Sequence, residues 1–457
     1  MGQANASDPS PFDLIVVGGG SGGLAGAFRA ARHGARVLLF EPNALGGTCV
    51  NVGCVPKKAM WLAADLAEHA VLAEAFGFGR AALPADWSAL RARRAAYIGR
   101  IHQSYHDRLA RAGIDVVPQY ARLLDAHTAQ AADGRRFSAP HVLLATGGRA
   151  LRPEVPGADA AWVSDDFFAL ERAPRRVAVV GGGYIAVELS GVLHALGSRV
   201  ETFVRGDALL SGFEAELAAQ LRAERERQGI VEHFGHHLAA IRADGAQRWL
   251  RDAEGRESGP FDAVFLATGR TPNSGGFGLE AVGVALDAKG HVVVDAWQDT
   301  SVPGLHAVGD LTPAPALTPV AIAAARRLMD RLFGGQADAR LDHAGIPSVV
   351  FSHPPLGKVG LTEAEARARH GDEVRVFRAD FAPMLQSLAG SGRRSLFKVV
   401  CAGVERRVLG IHLLGDGADE ILQGFAVALK RGITLQDLQD TVPIHPTSAE
   451  EVVLVGG

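Results

Sequence analysis

Cysteine is scarce in this sequence: 457 residues contain three, Cys49, Cys54 and Cys401. A chain of this length can bury a sizeable core without covalent staples, so a disulfide framework is excluded. The short spacing of Cys49 and Cys54 argues instead for redox or metal chemistry. Charge of one sign is also missing. Forty-seven basic residues stand against fifty acidic ones, a formal net charge of −3, which leaves no electrostatic footprint for nucleic acid. With 47% hydrophobic and 21% charged residues, the composition excludes disorder. No uninterrupted apolar run reaches the roughly eighteen residues that a membrane-spanning helix needs. The opening dozen residues, MGQANASDPSPF, lack the basic and apolar stretches of an export signal and are expected to form a loose tail. These absences point to a small-molecule partner, with no membrane and no nucleic acid, and to a cytoplasmic protein. At roughly 100 to 200 residues per domain, about three units are expected.

Glycine, by contrast, is abundant, with 55 residues clustered beside apolar runs, where close approach of backbone to a ligand requires them. The run DLIVV at 13–17 leads into GGGSGGLAGAFRAARHG and then RVLLFE: strand, glycine turn, helix, strand. The same grammar returns in RRVAVV, GGGYIAVELSGVLHALG and RVETFV, so the chain holds two nucleotide-binding βαβ units about 160 residues apart. Two segments that end alike, HVLLATGGR at 141–149 and AVFLATGRTPN at 263–273, are expected each to close a Rossmann-type half as the chain passes between units. After residue 343, PSVVF, VRVFRADF, LFKVVCAG and VLGIHLLG, followed by the helical pattern EILQGFAVALKRG, read as an antiparallel sheet with helices. In the closing HPTSAEEVV, Pro446 suits a first helical position and Glu450 and Glu451 a first turn, which predicts a short helix beginning at His445.

In the first unit Gly18, Gly20 and Gly23 fit G-x-G-x-x-G: a tight turn, close pyrophosphate approach, and packing of helix on strand. Glu41, at the end of the next strand, can accept from a ribose hydroxyl. The second unit carries Gly181, Gly183 and Ala186, and its second strand ends in Phe203, Val204 and Arg205 instead of an acid. A carboxylate there would repel a 2′-phosphate and Arg205 would pair with it, which favours NADPH over NADH; the plain alternative is a solvated cation.

Between these landmarks lies GGTCVNVGCVPKK. In a regular helix five residues advance about 7.5 Å, beyond the usual Cα separation of a disulfide, so a bridge between Cys49 and Cys54 needs an irregular helix start. Gly46, Gly47 and Gly53 permit one, and Pro56 restricts the residue before it. So short a loop would gain little chain-entropy stabilisation, which leaves thiol–disulfide exchange as its better use. Zinc would want a second Cys or His pair, and none accompanies this one; two inert buried thiols are the other alternative. Cys401, in KVVCAG, reads as a small buried hydrophobe. A dithiol reductase also needs a proton donor, and among seventeen histidines His445 is distinguished by Glu450, placed to orient its ring.

With these motifs, and with LHAVGDL, LTPVAIAAARRL, VVFSHPPLGKVGLTE and IHPTSAEE in the same order, the chain resembles the pyridine nucleotide-disulfide oxidoreductase family over essentially its whole length. Within that family it is most similar to the members that reduce glutathione disulfide. The resemblance implies an α/β fold with two Rossmann-like domains and a C-terminal α+β interface domain. It divides the chain into 1–152 for FAD, with 1–11 as the tail, 153–271 for NAD(P)H, 272–343 as a central domain completing the FAD site, and 344–457 for dimerisation. It implies FAD and NADPH as cofactors, glutathione disulfide or a similar small disulfide as substrate, and a homodimer with shared active sites.

Residue by residue, the likeness makes Cys54 the thiol against the flavin, Cys49 the interchange thiol, His445 the acid–base of the partner's site, and Glu450 its orienter. Lys57 matches the lysine near flavin N5, and Glu188 its ion-pair partner. For FAD the likeness adds Ser21, Gly22, Gly47, Thr48, Thr146, Gly147, Gly309, Asp310 and Thr318 to the glycine turn and Glu41. For NADPH it adds Tyr184, which covers the flavin, with Ile185, Glu188 and Gly269. Ser21, Phe28, Tyr105, Thr318, Arg326 and Met384 fall at the disulfide cleft.

Two departures stand out. Phe28 occupies a position where some glutathione-reducing members have an arginine facing the substrate carboxylate, which keeps a modified or larger disulfide open. Ser211 replaces a second 2′-phosphate arginine and leaves Arg205 alone, which keeps NADH open. Lipoamide dehydrogenases usually show a third glycine and a strand-end glutamate, against Ala186 and Val204 here. Mercuric and large thioredoxin reductases need a C-terminal thiol or selenol pair, whereas this sequence ends VLVGG. A flavoprotein that senses redox state without turnover is the alternative of a different class.

Overall fold

The computed structural model describes residues 12–79 and 86–456; the expected tail at 1–11 lies outside them. The chain gathers into two compact units. Of the described residues, one unit takes 12–57, 91–151 and 270–342, and the other takes 58–79, 86–90, 152–269 and 343–456.

In the first unit the run Leu-Ile-Val-Val becomes the strand Leu14–Val17, with every side chain buried. Alternate residues point to opposite faces of the sheet: Ile15 and Val17 enter one apolar cluster, Leu14 and Val16 the other. A parallel sheet covered on both faces therefore needs this unbroken apolar run, and each such side chain contributes about 1.5–3 kcal/mol by leaving water. The strand pairs in parallel with Val37–Phe40 on one side and His141–Leu144 on the other, and Asp115–Val117 and Leu305–Ala307 complete five parallel strands. The helix Ser21–Arg32 (α1) follows the glycine turn and packs beside the helix Thr318–Phe333.

The second unit repeats the plan. Arg176–Val180 pairs in parallel with Arg199–Phe203 and Ala263–Leu266, with Val177 and Val179 on one face and Ala178 and Val180 on the other. The two look-alike segments each enter the parallel sheet of their own unit but do not close it: Leu305–Ala307 lies outside His141–Leu144, and Trp162–Val163 lies outside Ala263–Leu266. Just beyond the look-alike segments, Gly148–Ala150 and Arg270–Pro272 pair as an antiparallel ribbon within the first unit, where the chain leaves and re-enters it. The five C-terminal strands form an antiparallel sheet in which Arg407–Leu414 is central, flanked by Ser395–Ala402 and Leu356–Gly360, with the helix Ala418–Lys430 against it. Cys401 is fully buried there and its thiol is pushed up to about 12, chiefly by burial, so it stays protonated and inert.

One expected element is corrected. The C-terminal helix spans Glu450–Val453 and does not begin at His445, whose peptide bond to Pro446 is cis. Side chains, not a helical ladder, satisfy the intervening backbone: Thr447 Oγ1 donates to the Ile444 carbonyl, and Glu450 accepts from the Thr447 N–H. Glu450 and Glu451 do occupy the first turn.

Candidate active site

The glycine turn of the first unit shows why these residues recur. Gly18 adopts φ +106°, and a Cβ there would lie 2.4 Å from the Ala145 carbonyl oxygen. A Cβ at Gly23 would lie 1.8 Å from the Gly18 carbonyl oxygen, so α1 can approach the strand this closely only with glycine at that position. No side chain caps α1 at Gly20, which leaves the N–H groups of its first turn, from Ser21, Gly22 and Gly23, available to an anion. Glu41 is held beside this turn by the Gly19 and Asn43 N–H groups, each at 2.8 Å. An open helix N-terminus with an adjoining carboxylate fits the pyrophosphate and ribose of a dinucleotide. In the second unit Gly183 likewise leaves the helix Tyr184–Ala195 without a side-chain cap; Ala186 is buried and Tyr184 is half exposed. Arg205 and Ser211 are exposed beyond the strand Arg199–Phe203.

The two cysteines sit on either side of a broken helix. Cys49 lies in Gly47–Asn51 (α2) and Cys54 opens Cys54–Leu72 (α3), with Val52 and Gly53 between them out of helical register. This is the irregular start that the spacing demands. The Cys49 thiol hydrogen-bonds with Cys54, Thr318 and Ser21, and Thr318 Oγ1 lies 3.6 Å from the Cys54 sulfur. Hydrogen bonding to Cys54, then burial and the charge on Cys54, push the Cys49 thiol well above its usual range. Cys49 therefore keeps its proton more readily than a free thiol when Cys54 beside it carries charge.

Asn51, between the cysteines, pins the break: its Nδ2 donates to the Gly47 carbonyl at 2.9 Å, and its Oδ1 meets His102 Nε2 at 2.7 Å. His102 belongs to the long helix Trp87–Arg111 (α4). Asn273 was likewise not anticipated. It receives the Thr146 hydroxyl at 2.8 Å and returns a bond to the Thr146 carbonyl at 3.0 Å, while its N–H donates to Gly147. Asp310, in the short turn Gly309–Leu311, faces Arg270 at 3.7 Å.

Beside the dithiol opens a cavity of about 590 Å³ that brings together Ser21, Phe28, Cys49, Tyr105, Thr318 and Arg326. In the second unit, His445 Nδ1 lies 3.0 Å from the Glu450 carboxylate, and the imidazole is 78% exposed. Anchored through Nδ1, its Nε2 is free to carry a proton to and from a partner. Glu188 is buried and accepts from the Phe351 N–H at 2.9 Å; Met384 is exposed at the start of its helix. Lys57 lies in the first turn of α3.

Residues 12–325 match the family described as Pyridine nucleotide-disulphide oxidoreductase, and residues 346–455 match its dimerisation domain. Over 461 residues the chain is 40% identical to a glutathione reductase of Yarrowia lipolytica, covering 97% of this chain and 98% of that protein. Over 466 residues it is 42% identical to a glutathione reductase of Schizosaccharomyces pombe, with the same coverage of both.

Proposed function

The chain belongs to the pyridine nucleotide-disulphide oxidoreductase family, and from that premise we propose that it reduces glutathione disulfide to two glutathione thiols with NADPH, through FAD and the Cys49–Cys54 pair. The observation that carries this reading is the dithiol itself: Cys49 and Cys54 in hydrogen-bond contact at a helix break, with Cys49 lining a cavity of about 590 Å³. When bound, FAD supplies a two-electron relay from the nicotinamide to this pair.

The chain's own residues carry out the exchange. As the Cys49 thiol gives its proton to His445 of a partner subunit, its sulfur attacks one substrate sulfur, forming a mixed disulfide and expelling the first thiolate, which takes that proton back from the imidazole. The Cys54 thiolate, whose proton has passed to the same imidazole, then attacks the Cys49 sulfur, forming the Cys49–Cys54 disulfide and expelling the second thiolate, which that imidazole protonates to the second thiol. Two electrons and two protons pass from dithiol to substrate. Glu450 holds the His445 tautomer and stabilises its cation. Arg205 pairs with the nucleotide's 2′-phosphate. Residues 1–152, 153–271, 272–343 and 344–457 serve as FAD, NADPH, central and dimerisation domains of a cytoplasmic homodimer; no helix among the described residues is long and apolar enough to cross a membrane.

The test is NADPH oxidation with glutathione disulfide, lipoamide and trypanothione disulfide in parallel, repeated for Cys49→Ser and Cys54→Ser. Glutathione disulfide should be turned over fastest, and each variant should lose turnover. Two-electron reduction should give a long-wavelength thiolate-to-flavin absorption that disappears only in Cys54→Ser. Unchanged turnover in either variant refutes the assignment.

A further inference from the structure

The cavity beside Cys49 has an unbalanced lining. It includes Arg29, Arg32, Arg108 and Arg326 and no acidic residue. These cations are not equivalent. Arg29 is neutralised by Asp330, which also takes His33 at 2.8 Å. Arg108 forms no ion pair among the described residues; its guanidinium lies 4.4 Å over the ring of Phe28 and 6.0 Å from that of Tyr105. Phe28 is half-buried on the cavity face of α1, packed against the apolar cluster beneath it, and Tyr105 and Arg108 share a face of α4 at a spacing of three.

A guanidinium held over an aromatic face offers its flat face to the π cloud, while its five N–H donors lie in its own plane and remain open to a carboxylate. The aromatic platform also reduces the freedom the side chain must lose on binding. We propose that Arg108, seated on Phe28, is a specificity-determining residue that recognises a carboxylate of the disulfide substrate, and that Phe28 is its platform. This rests on the disulfide-reductase reading above and narrows it: the preferred substrate is a disulfide bearing free carboxylates, and amide-capped or cationic disulfides are discriminated against.

The experiment compares glutathione disulfide with the same disulfide amidated at both glycine carboxylates, using NADPH oxidation by the FAD-loaded protein. Wild type should prefer the free acid. Arg108→Ala should raise KM for the free acid by about 10- to 100-fold, the loss expected for one charge-assisted hydrogen bond, with the change in KM and not in kcat. The preference over the amidated substrate should shrink by the same factor. Arg108→Lys should recover part of the preference, and Phe28→Leu, which removes the platform but not the charge, should lose part of it. Added salt should raise KM in wild type more than in Arg108→Ala. Thermal melting and flavin content of each variant exclude misfolding as the cause. Equal losses on both substrates, or an unchanged KM, overturn the proposal. A wild type that prefers the amidated disulfide overturns it while leaving disulfide reduction standing, and a wild type that turns over neither defeats both readings.

Discussion

On the proposed reading, nicotinamide choice turns on a single side chain. Arg205 is exposed two residues beyond the strand Arg199–Phe203, and Ser211 can add only a neutral hydrogen bond nearby in the sequence. A charge-assisted hydrogen bond contributes about 1.5 to 3 kcal/mol, so Arg205→Ala should weaken NADPH use by roughly one to two orders of magnitude while NADH use barely changes. Steady-state kcat/KM with both nucleotides checks this, and equal losses would show that Arg205 serves the fold or the shared part of the cofactor. At this scale much was legible beforehand. Cys49, Cys54, His445 and Glu450 stand out because their spacing carries chemistry. Asn51, Asn273 and Arg108 did not, because each acts on a partner remote in the chain: Asn51 on a histidine 51 positions away, Asn273 on Thr146 across 127 positions, Arg108 on Phe28 in a different helix.

Elements are set by backbone contacts that tolerate no extra atom. Since a Cβ at Gly23 would sit 1.8 Å from the Gly18 carbonyl oxygen, Gly23→Ala must push α1 off its strand and tilt the N–H groups of the first turn. A cost of about 1–3 kcal/mol or more is expected, together with loss of bound flavin, measured as a fall in melting temperature and in the flavin-to-protein absorbance ratio. Gly99 provides the control. It lies exposed inside α4 with no atom within 4 Å of its would-be Cβ, so Gly99→Ala should leave flavin binding intact and stabilise the protein by up to about 1 kcal/mol. Should both substitutions behave alike, the close approach at Gly23 is not what holds the turn. Apolar runs and glycine turns made these strands and helices legible. Local propensity at Pro446 and Glu450 favours a helix from His445, but the side-chain bonds of Thr447 and Glu450 organise that stretch as a turn and delay the helix to Glu450.

For the whole molecule, the exposed imidazole of His445 poses the question of which Cys49 it serves. An isologous dimer would give two equivalent composite sites, each with the cysteines of one subunit and the histidine of the other. Loss of the acid–base group should cost about two to four powers of ten in rate, so His445→Ala and Cys49→Ser homodimers should each be nearly inactive. Mixing them under conditions proven to exchange subunits makes half the dimers hybrids with one intact site of two, so about a quarter of wild-type activity should return. No recovery would place His445 in its own chain's site or remove it from catalysis.

The sequence alone determined the doubled nucleotide-binding plan, the antiparallel C-terminal sheet, and the meeting of Cys49 with Cys54 and of His445 with Glu450. Each of these is written in short-range pattern: unbroken apolar runs, glycines at fixed offsets, two thiols five positions apart. Only the tertiary structure decided what surrounds them. It set Thr318 and Ser21 against the thiols, clamped the Thr146 turn with Asn273, and laid Arg108 over Phe28, turning an apparent loss of a substrate arginine into a seat for another. Such contacts join segments that have no local reason to know of one another, and they arise only once the parallel sheet has brought the ends of its strands and helices to one edge.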